Sequence, residues 1–221
     1  MPQYTSEQLL EHIARLRERA LVWLPPASMM ALETASEAEP NGAWLAELWQ
    51  QAQRAAFTGS ALAQDTGRTY AYVDAGPDVE LDGAVAGAVV RRMNRNGLQI
   101  CVSPSMPDLL AEMEIGDDTE LAEEVLRALP SEKEGLPWVL GVGVGKTALR
   151  ARLLAGRALL RSVDEPNPDA MLAWLEADAL RRVNAEALTA LAVNIEAEGG
   201  ANFLAICLGR HPLMCAEERI A

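Results

Sequence analysis

The fold of this 221-residue chain is decided by one stretch, Pro137-Trp138-Val139-Leu140-Gly141-Val142-Gly143-Val144-Gly145-Lys146-Thr147. Pro137 to Gly143 is apolar and predicts a strand, and Gly145 leads from it into a helix over about 146–160. A glycine-rich turn between strand and helix presents backbone N–H groups that can bind phosphate. The spacing excludes two nucleotide motifs, because a Walker A loop needs glycine where Leu140 stands and a dinucleotide fingerprint needs a small residue where Lys146 stands. Taken alone, the stretch predicts a tight turn in which glycine permits close backbone approach.

Helices and strands are predicted on both sides of this stretch. Residues 1–60 are predicted to be a helical N-terminal layer, in which Thr5 and Gln8 form a capping box and Pro25-Pro26 ends the first helix. Residues 61–221 are predicted to be a mixed α/β body, with strands at 68–75, 98–103, 187–195 and 202–208 and helices at 82–97, 119–129 and 169–183. The predicted fold class is α+β, a helix-rich body with a small mixed sheet. We expect a single domain over 1–221.

Composition and charge narrow the cellular context and the partners. The net charge of −13 argues against nucleic acid and anionic membranes as main partners. No apolar run is long enough for a membrane span, since the longest covers only 136–144. The N-terminus is typical of neither a signal nor a transit peptide, so we expect a cytoplasmic protein.

Local basic clusters leave one alternative open. Residues three or four apart on a helix share a face that could meet a carboxylate substrate, or they could balance nearby acids, which is the favoured alternative. The two clusters are Arg91, Arg92 and Arg95, and Lys146, Arg150, Arg152, Arg157 and Arg161.

Cysteine and histidine are sparse. The three cysteines, Cys101, Cys207 and Cys215, include no CxxC pair, and the two histidines are His12 and His211. A disulfide framework, a zinc motif and a histidine-rich metal site are therefore not expected.

A second stretch, whose side chains could bind a substrate or transfer a proton, precedes the first predicted strand. Gln64, Asp65 and Thr66, followed by Gly67, can donate to and accept from a hydroxy acid, and Asp65 or Thr66 could assist proton transfer. In isolation, the same tetrapeptide is typical of an ordinary Asx turn.

Three motifs in this order resemble the α subunits of class I iron–sulfur fumarases and tartrate dehydratases. The first is 64–67 with the strand after it, and the second is 141–145 with a helix closing in Ala158-Leu159-Leu160-Arg161. The third is Thr189-Ala190-Leu191-Ala192-Val193, followed by a run from Cys207 to His211. The resemblance covers most of the chain. It implies a fold like the fumarase α domain, a homodimer, and a separate β subunit that completes the active site.

The resemblance also implies roles for individual residues. Gln64 and Asp65 would contact a small dicarboxylate or hydroxy acid, and Asp65 or Thr66 would move a proton. The backbone N–H groups of Gly143 and Gly145 would hold a carboxylate. Lys146, Arg210 and His211 are the remaining candidates for substrate contact and for an electrophile.

Departures from the family concern its [4Fe–4S] cluster, in which an iron acts as a Lewis acid on the substrate. Two of the three ligand cysteines correspond here to Ala63 and Leu136, and only Cys207 matches the third. A glycine-rich family segment is also missing between Ser103 and Asp117. One thiolate cannot hold such a cluster, so no cofactor is expected.

Two functions follow from this resemblance and its departures. In the first, the protein is a hydro-lyase, a carbon–oxygen lyase, that acts on a small hydroxy-carboxylic acid without an intact cluster. In the second, it is a catalytically silent, dimeric ligand-binding or regulatory subunit of the same family.

Overall fold

The structure, a computed structural model, describes residues 1–37, 42–62, 69–83, 85, 88–105, 107–116, 118–130, 137–185, 190–209 and 215–220. Six helices lie in the described residues: α1 (Ser6–Val22), α2 (Pro26–Ser36), α3 (Gly42–Thr58), α4 (Leu121–Ala128), α5 (Ala148–Ala158) and α6 (Ala170–Ala185). The strands of the same residues are β1 (Gln3–Thr5), β2 (Tyr70–Ala75), β3 (Glu80–Asp82), β4 (Ala88–Arg92), β5 (Leu98–Ser103), β6 (Asp108–Glu114), β7 (Trp138–Gly145), β8 (Ala190–Ala197), β9 (Phe203–Gly209) and β10 (Ala216–Ile220).

The chain divides into two compact units. The first unit comprises Met1–Pro25, Ala52–Met106 and Met214–Ala221, and the second comprises Pro26–Gln51 and Pro107–Leu213. Each contains one four-stranded mixed sheet, which we call the first and the second sheet. The expectation of a single domain over 1–221 stays a prediction.

The first unit packs α1 on one face of the first sheet, whose strand order is β10-β5-β2-β4. The predicted capping box is present, because the Thr5 hydroxyl accepts from the Gln8 N–H at 3.3 Å and the Gln8 side chain accepts from the Thr5 N–H at 2.9 Å. The helical spacing of apolar residues then turns one stripe of α1 towards the sheet. That stripe consists of Leu9, Ile13, Leu16 and Ala20.

The second unit covers both faces of its sheet, whose order is β6-β9-β7-β8. Alternate side chains of a strand point to opposite faces, so Leu140 and Val142 of β7 join the core formed with α4 and α6. Val139 and the glycines of β7 lie on the other face, against α5. Strand β7 is therefore buried on both faces.

The two sheets share one strand arrangement. In the first, β2 pairs in parallel with β4 and antiparallel with β5. In the second, β7 pairs in parallel with β8 and antiparallel with β9. A further antiparallel strand completes each sheet, β10 beside β5 and β6 beside β9.

The structure confirms the α+β class and the helices predicted before residue 60. The helix predicted over 82–97 is wrong, because residues 88–92 form β4. The β-branched pair Val89 and Val90 favours a strand, and pairing with β2 outweighs the helix propensity of the neighbouring alanines. Strands β1, β3, β6 and β10 were also not predicted. Among the described helices, none is long and apolar enough to cross a membrane.

A buried polar network ties α6 to the outer edge of β8. The carboxylate of Glu176 accepts from the Ile195 N–H at 2.7 Å and from the Asn167 N–H at 3.1 Å. Arg161 donates to the same carboxylate, and the side chains of Arg161 and Glu176 are 6% and 9% exposed. The Asn167 amide donates to the Ile195 carbonyl oxygen at 2.6 Å. The network satisfies backbone groups of β8 that no neighbouring strand pairs.

Replacing Glu176 with glutamine should destabilise the protein by about 3–5 kcal/mol, because Arg161 would stay buried without its main partner. The measurement is the free energy of unfolding in urea. The matched control is Glu120→Gln. Glu120 pairs with Arg182, and its side chain is 48% exposed, so this substitution should cost at most about 1 kcal/mol. Equal losses in the two variants would contradict the role given to the network.

Candidate functional site

The junction between β7 and α5 contains three of the predicted site residues. Gly143 and Gly145 lie in β7, and Lys146 follows in the turn with an exposed side chain. Gly143 is paired on both sides, opposite Glu196 of β8 and Ala205 of β9. Its backbone is therefore part of the sheet, and binding of a substrate carboxylate by Gly143, Gly145 and Lys146 stays a prediction.

The glycines of β7 let α5 lie directly on the strand backbone. A Cβ atom on Gly141 would overlap the Ala155 carbonyl oxygen, and one on Gly143 would overlap the Ala151 carbonyl oxygen. Gly145 likewise has no room for a Cβ beside the Ala151 N–H. The glycines recur at every second position, so all three face α5. Close packing between helix and strand thus explains the motif without a ligand.

The carboxylate of Glu198 lies against the turn that follows these glycines. It accepts from the backbone N–H of Lys146 at 2.6 Å and from the Nη2 of Arg150 at 2.9 Å. The Thr147 hydroxyl caps α5 by accepting from the Arg150 N–H at 3.2 Å. The Arg150 guanidinium and the Lys146 N–H hold the pKa of Glu198 below its ordinary value, so this carboxylate is ionised at neutral pH.

The basic cluster that begins at Lys146 is largely paired within the second unit. Besides Arg150 with Glu198, Arg152 pairs with Glu112 and Arg161 with Glu176. These pairs favour the alternative that the cluster balances nearby acids.

Cys207, the candidate cluster ligand, lies in β9 opposite Gly141. It is 5% exposed and packs among apolar residues between the sheet and α5. Burial raises the pKa of the Cys207 thiol to about 11, and the nearby Arg152 opposes this only in part. Its apolar surroundings therefore disfavour the thiolate, which is the form in which cysteine binds a metal.

The donor set does not fit a [4Fe–4S] cluster. Such a cluster takes its ligands from several cysteines. By the resemblance, Ala63 and Leu136 stand at the other two ligand positions of the family. Within the described ranges, no three His, Cys, Asp or Glu side chains form a group that could hold a metal ion.

The remaining predicted site residues, Gln64, Asp65, Thr66, Arg210 and His211, lie outside the described residues.

The first sheet has a polar face opposite α1, which the sequence analysis did not predict. Arg91 of β4 donates to both carboxylate oxygens of Asp74, each at 3.0 Å, and Asp74 is 1% exposed. The Gln99 amide donates to Glu217 at 3.0 Å, and the hydroxyls of Tyr70 and Tyr72 lie 2.7 Å apart. The sequence signal was the alternation of polar and apolar residues in 70–75 and 98–103. The side chains of this polar face include Tyr70, Tyr72, Asp74, Arg91, Gln99, Cys101, Ser103, Glu217 and Arg219.

Part of the second unit is similar to a known protein family. Residues 120–197 match the family model of fumarate hydratase (Fumerase). The matched segment contains α4, β7, α5, α6 and β8, about a third of the chain, and it includes the glycine motif. The match supports a fumarase-like protein and does not extend to 64–67 or 207–211. No curated protein matches the chain.

If the glycine motif of this fumarase-like segment serves packing, Gly143→Ala should lower the free energy of unfolding by about 1–3 kcal/mol without any ligand, because the methyl group has no room beside Ala151. Urea unfolding measures the loss. The matched control is Gly199→Ala, where a Cβ would meet no atom within 4 Å and the change should stay within about 0.5 kcal/mol. A stable Gly143→Ala protein would contradict the packing role.

Stability should fall at alkaline pH through Cys207. The unfolded thiol has a pKa of about 8.5, and the folded thiol one of about 11. Below the first value both states are protonated. Between the two values only the unfolded thiol ionises, which favours unfolding by about 1.4 kcal/mol per pH unit.

The measurement is urea unfolding at pH 8 and pH 10.5 for the parent and for Cys207→Ala. The variant lacks this titration, so its stability should decline less over the interval, while tyrosines and lysines contribute equally to both proteins. Identical declines would show that the thiol is not held protonated by the fold.

Proposed function

We propose that the protein is a fumarase-like subunit that binds a small dicarboxylic or hydroxy-carboxylic acid and does not carry out cluster-dependent hydration. The observation that carries the proposal is the environment of Cys207, a buried and protonated thiol with no partner cysteine at the other ligand positions of the family. Interconversion of a hydroxy acid and its alkene needs an electrophile that takes the hydroxyl group as it leaves. The loss of the cluster ligands removes the group that supplies this in the family.

Binding is supported by the motifs that the chain keeps. The family match covers the second unit's β7-α5-α6-β8 segment. Outside the matched segment, the chain keeps Gln64, Asp65 and Thr66 and, near its end, Arg210 and His211, which the resemblance assigns to substrate contact. We therefore assign the carboxylate-binding residues to these two segments. A homodimer and a β subunit follow from the family resemblance and belong to the same proposal, as does the cytoplasmic location expected from the N-terminal sequence.

A second candidate function, a hydro-lyase without a cluster, is favoured by the polar face of the first sheet. Asp74 and Glu217 are acidic groups beside cationic and amide partners. Dehydration would require removal of a proton from the carbon next to the carboxylate and departure of the hydroxyl as water. Asp65 or Thr66 would assist the proton transfer, and Lys146, Arg210 or His211 would have to act as the electrophile.

We expect the purified protein to show a saturable rise in melting temperature with fumarate, malate, tartrate or mesaconate, because a ligand that binds only the folded state stabilises it. The same preparation, made anaerobically with iron and sulfide, should contain no stoichiometric iron. It should turn over none of these acids, with or without a candidate β subunit.

Asp65→Asn is the variant that separates the two functions. In a silent subunit it weakens binding and changes no turnover, since there is none. Turnover by the parent that is abolished in Asp65→Asn would overturn the silent subunit in favour of the hydro-lyase. Stoichiometric iron would contradict the loss of the cluster, and the absence of any ligand-induced stabilisation would contradict binding.

A further inference from the structure

The turn at the start of α5 already holds an anion that belongs to the protein. Glu198 lies just after β8, and its backbone N–H donates to the Val144 carbonyl oxygen of β7 at 3.0 Å. From this anchored position its carboxylate reaches the Lys146 N–H at 2.6 Å and two nitrogens of Arg150 at 2.9 and 3.3 Å. Charge-assisted bonds of this kind are the strong ones, and the start of a helix favours negative charge.

These donors are the ones that an external carboxylate would need. The preceding glycines have no space on the α5 side, where a Cβ would already overlap the backbone of the helix. The Lys146 N–H and the Arg150 guanidinium both donate to the carboxylate of Glu198. A tethered group competes at an effective concentration on the order of millimolar or higher. A carboxylic acid in solution below this concentration therefore does not displace the Glu198 carboxylate.

We propose that the carboxylate of Glu198 is the resident anion of this turn and closes it to external carboxylates. The inference deepens the proposed function, on which it rests, because it excludes the glycine turn as the place where a dicarboxylate binds. It also assigns Glu198, which no motif indicated, as the residue that decides this. Removing Glu198 would open an anion site that the parent protein does not offer.

The test follows the backbone amide signal of Lys146 by NMR during titration with malonate at constant ionic strength. In the parent the signal should not move in a saturable way. In Glu198→Ala the Lys146 signal should move saturably. The apparent affinity for malonate should be at least ten-fold higher than that of the parent. In Glu198→Ala/Arg150→Ala the gain should be lost, because the guanidinium no longer contributes.

The matched control is Glu112→Ala, which removes the acid partner of Arg152, another arginine of α5. It should leave the Lys146 signal insensitive to malonate, as in the parent. If Glu198→Ala does not fold, Glu198→Gln keeps the side-chain length without the charge and should give a smaller gain, because its amide oxygen still accepts from the Lys146 N–H. A saturable response in the parent equal to that of the Glu198 variants, or no response in a folded Glu198 variant, would overturn the proposal.

Failure of this inference is distinguishable from failure of the proposed function. If malonate moves amides elsewhere in the parent but not that of Lys146, both stand. If malonate, fumarate, malate, tartrate and mesaconate move no amide of the parent, but malonate binds the turn of the Glu198 variant, the resident anion stands and the ligand-binding function is contradicted.

Discussion

The contact between α5 and the glycine side of β7 is the constraint on which the second unit depends. The helix lies so close that side chains at Gly141 and Gly143 would overlap its carbonyl oxygens. This distance allows Ala151, Ala155 and Leu159 to form a core with Val139, Ala192 and Cys207. Since β7 is a central strand, its position also sets the register of β8 and β9. The tight helix therefore fixes the geometry of the whole sheet.

The same contact changes the functional interpretation of the glycine motif. A glycine-rich turn before a helix is a common anion site. Here the glycines are used by packing, and the turn's donors bind Glu198. The match to the fumarate hydratase family model covers this part of the chain, where packing accounts for the glycines.

The first unit repeats the strand arrangement of the second, but the side chains on the sheet face opposite α1 are of a different kind. In each sheet, one central strand, β2 or β7, pairs in parallel with one neighbour and antiparallel with the other. In the second unit α5 lies on the glycine face, whereas the corresponding sheet of the first unit presents a face of polar side chains, including Asp74 and Gln99. Buried polar groups are costly unless they are paired, which explains the bidentate Asp74–Arg91 contact. This face adds a chemical candidate that no motif had indicated.

The sequence by itself determined the α+β class, the capping box at Thr5, the helices before residue 60 and the strand-turn-helix at 137–160, because these depend on local periodicity and on residues with special backbone properties. Only the tertiary structure decided that 88–92 is a strand and that β10 returns to the first sheet, since these rest on pairing between distant segments. It also decided that Glu198 fills the turn and that Cys207 is held as a thiol. Contacts between residues 52 positions apart and the burial of one side chain are set by packing, and no spacing along the chain encodes them.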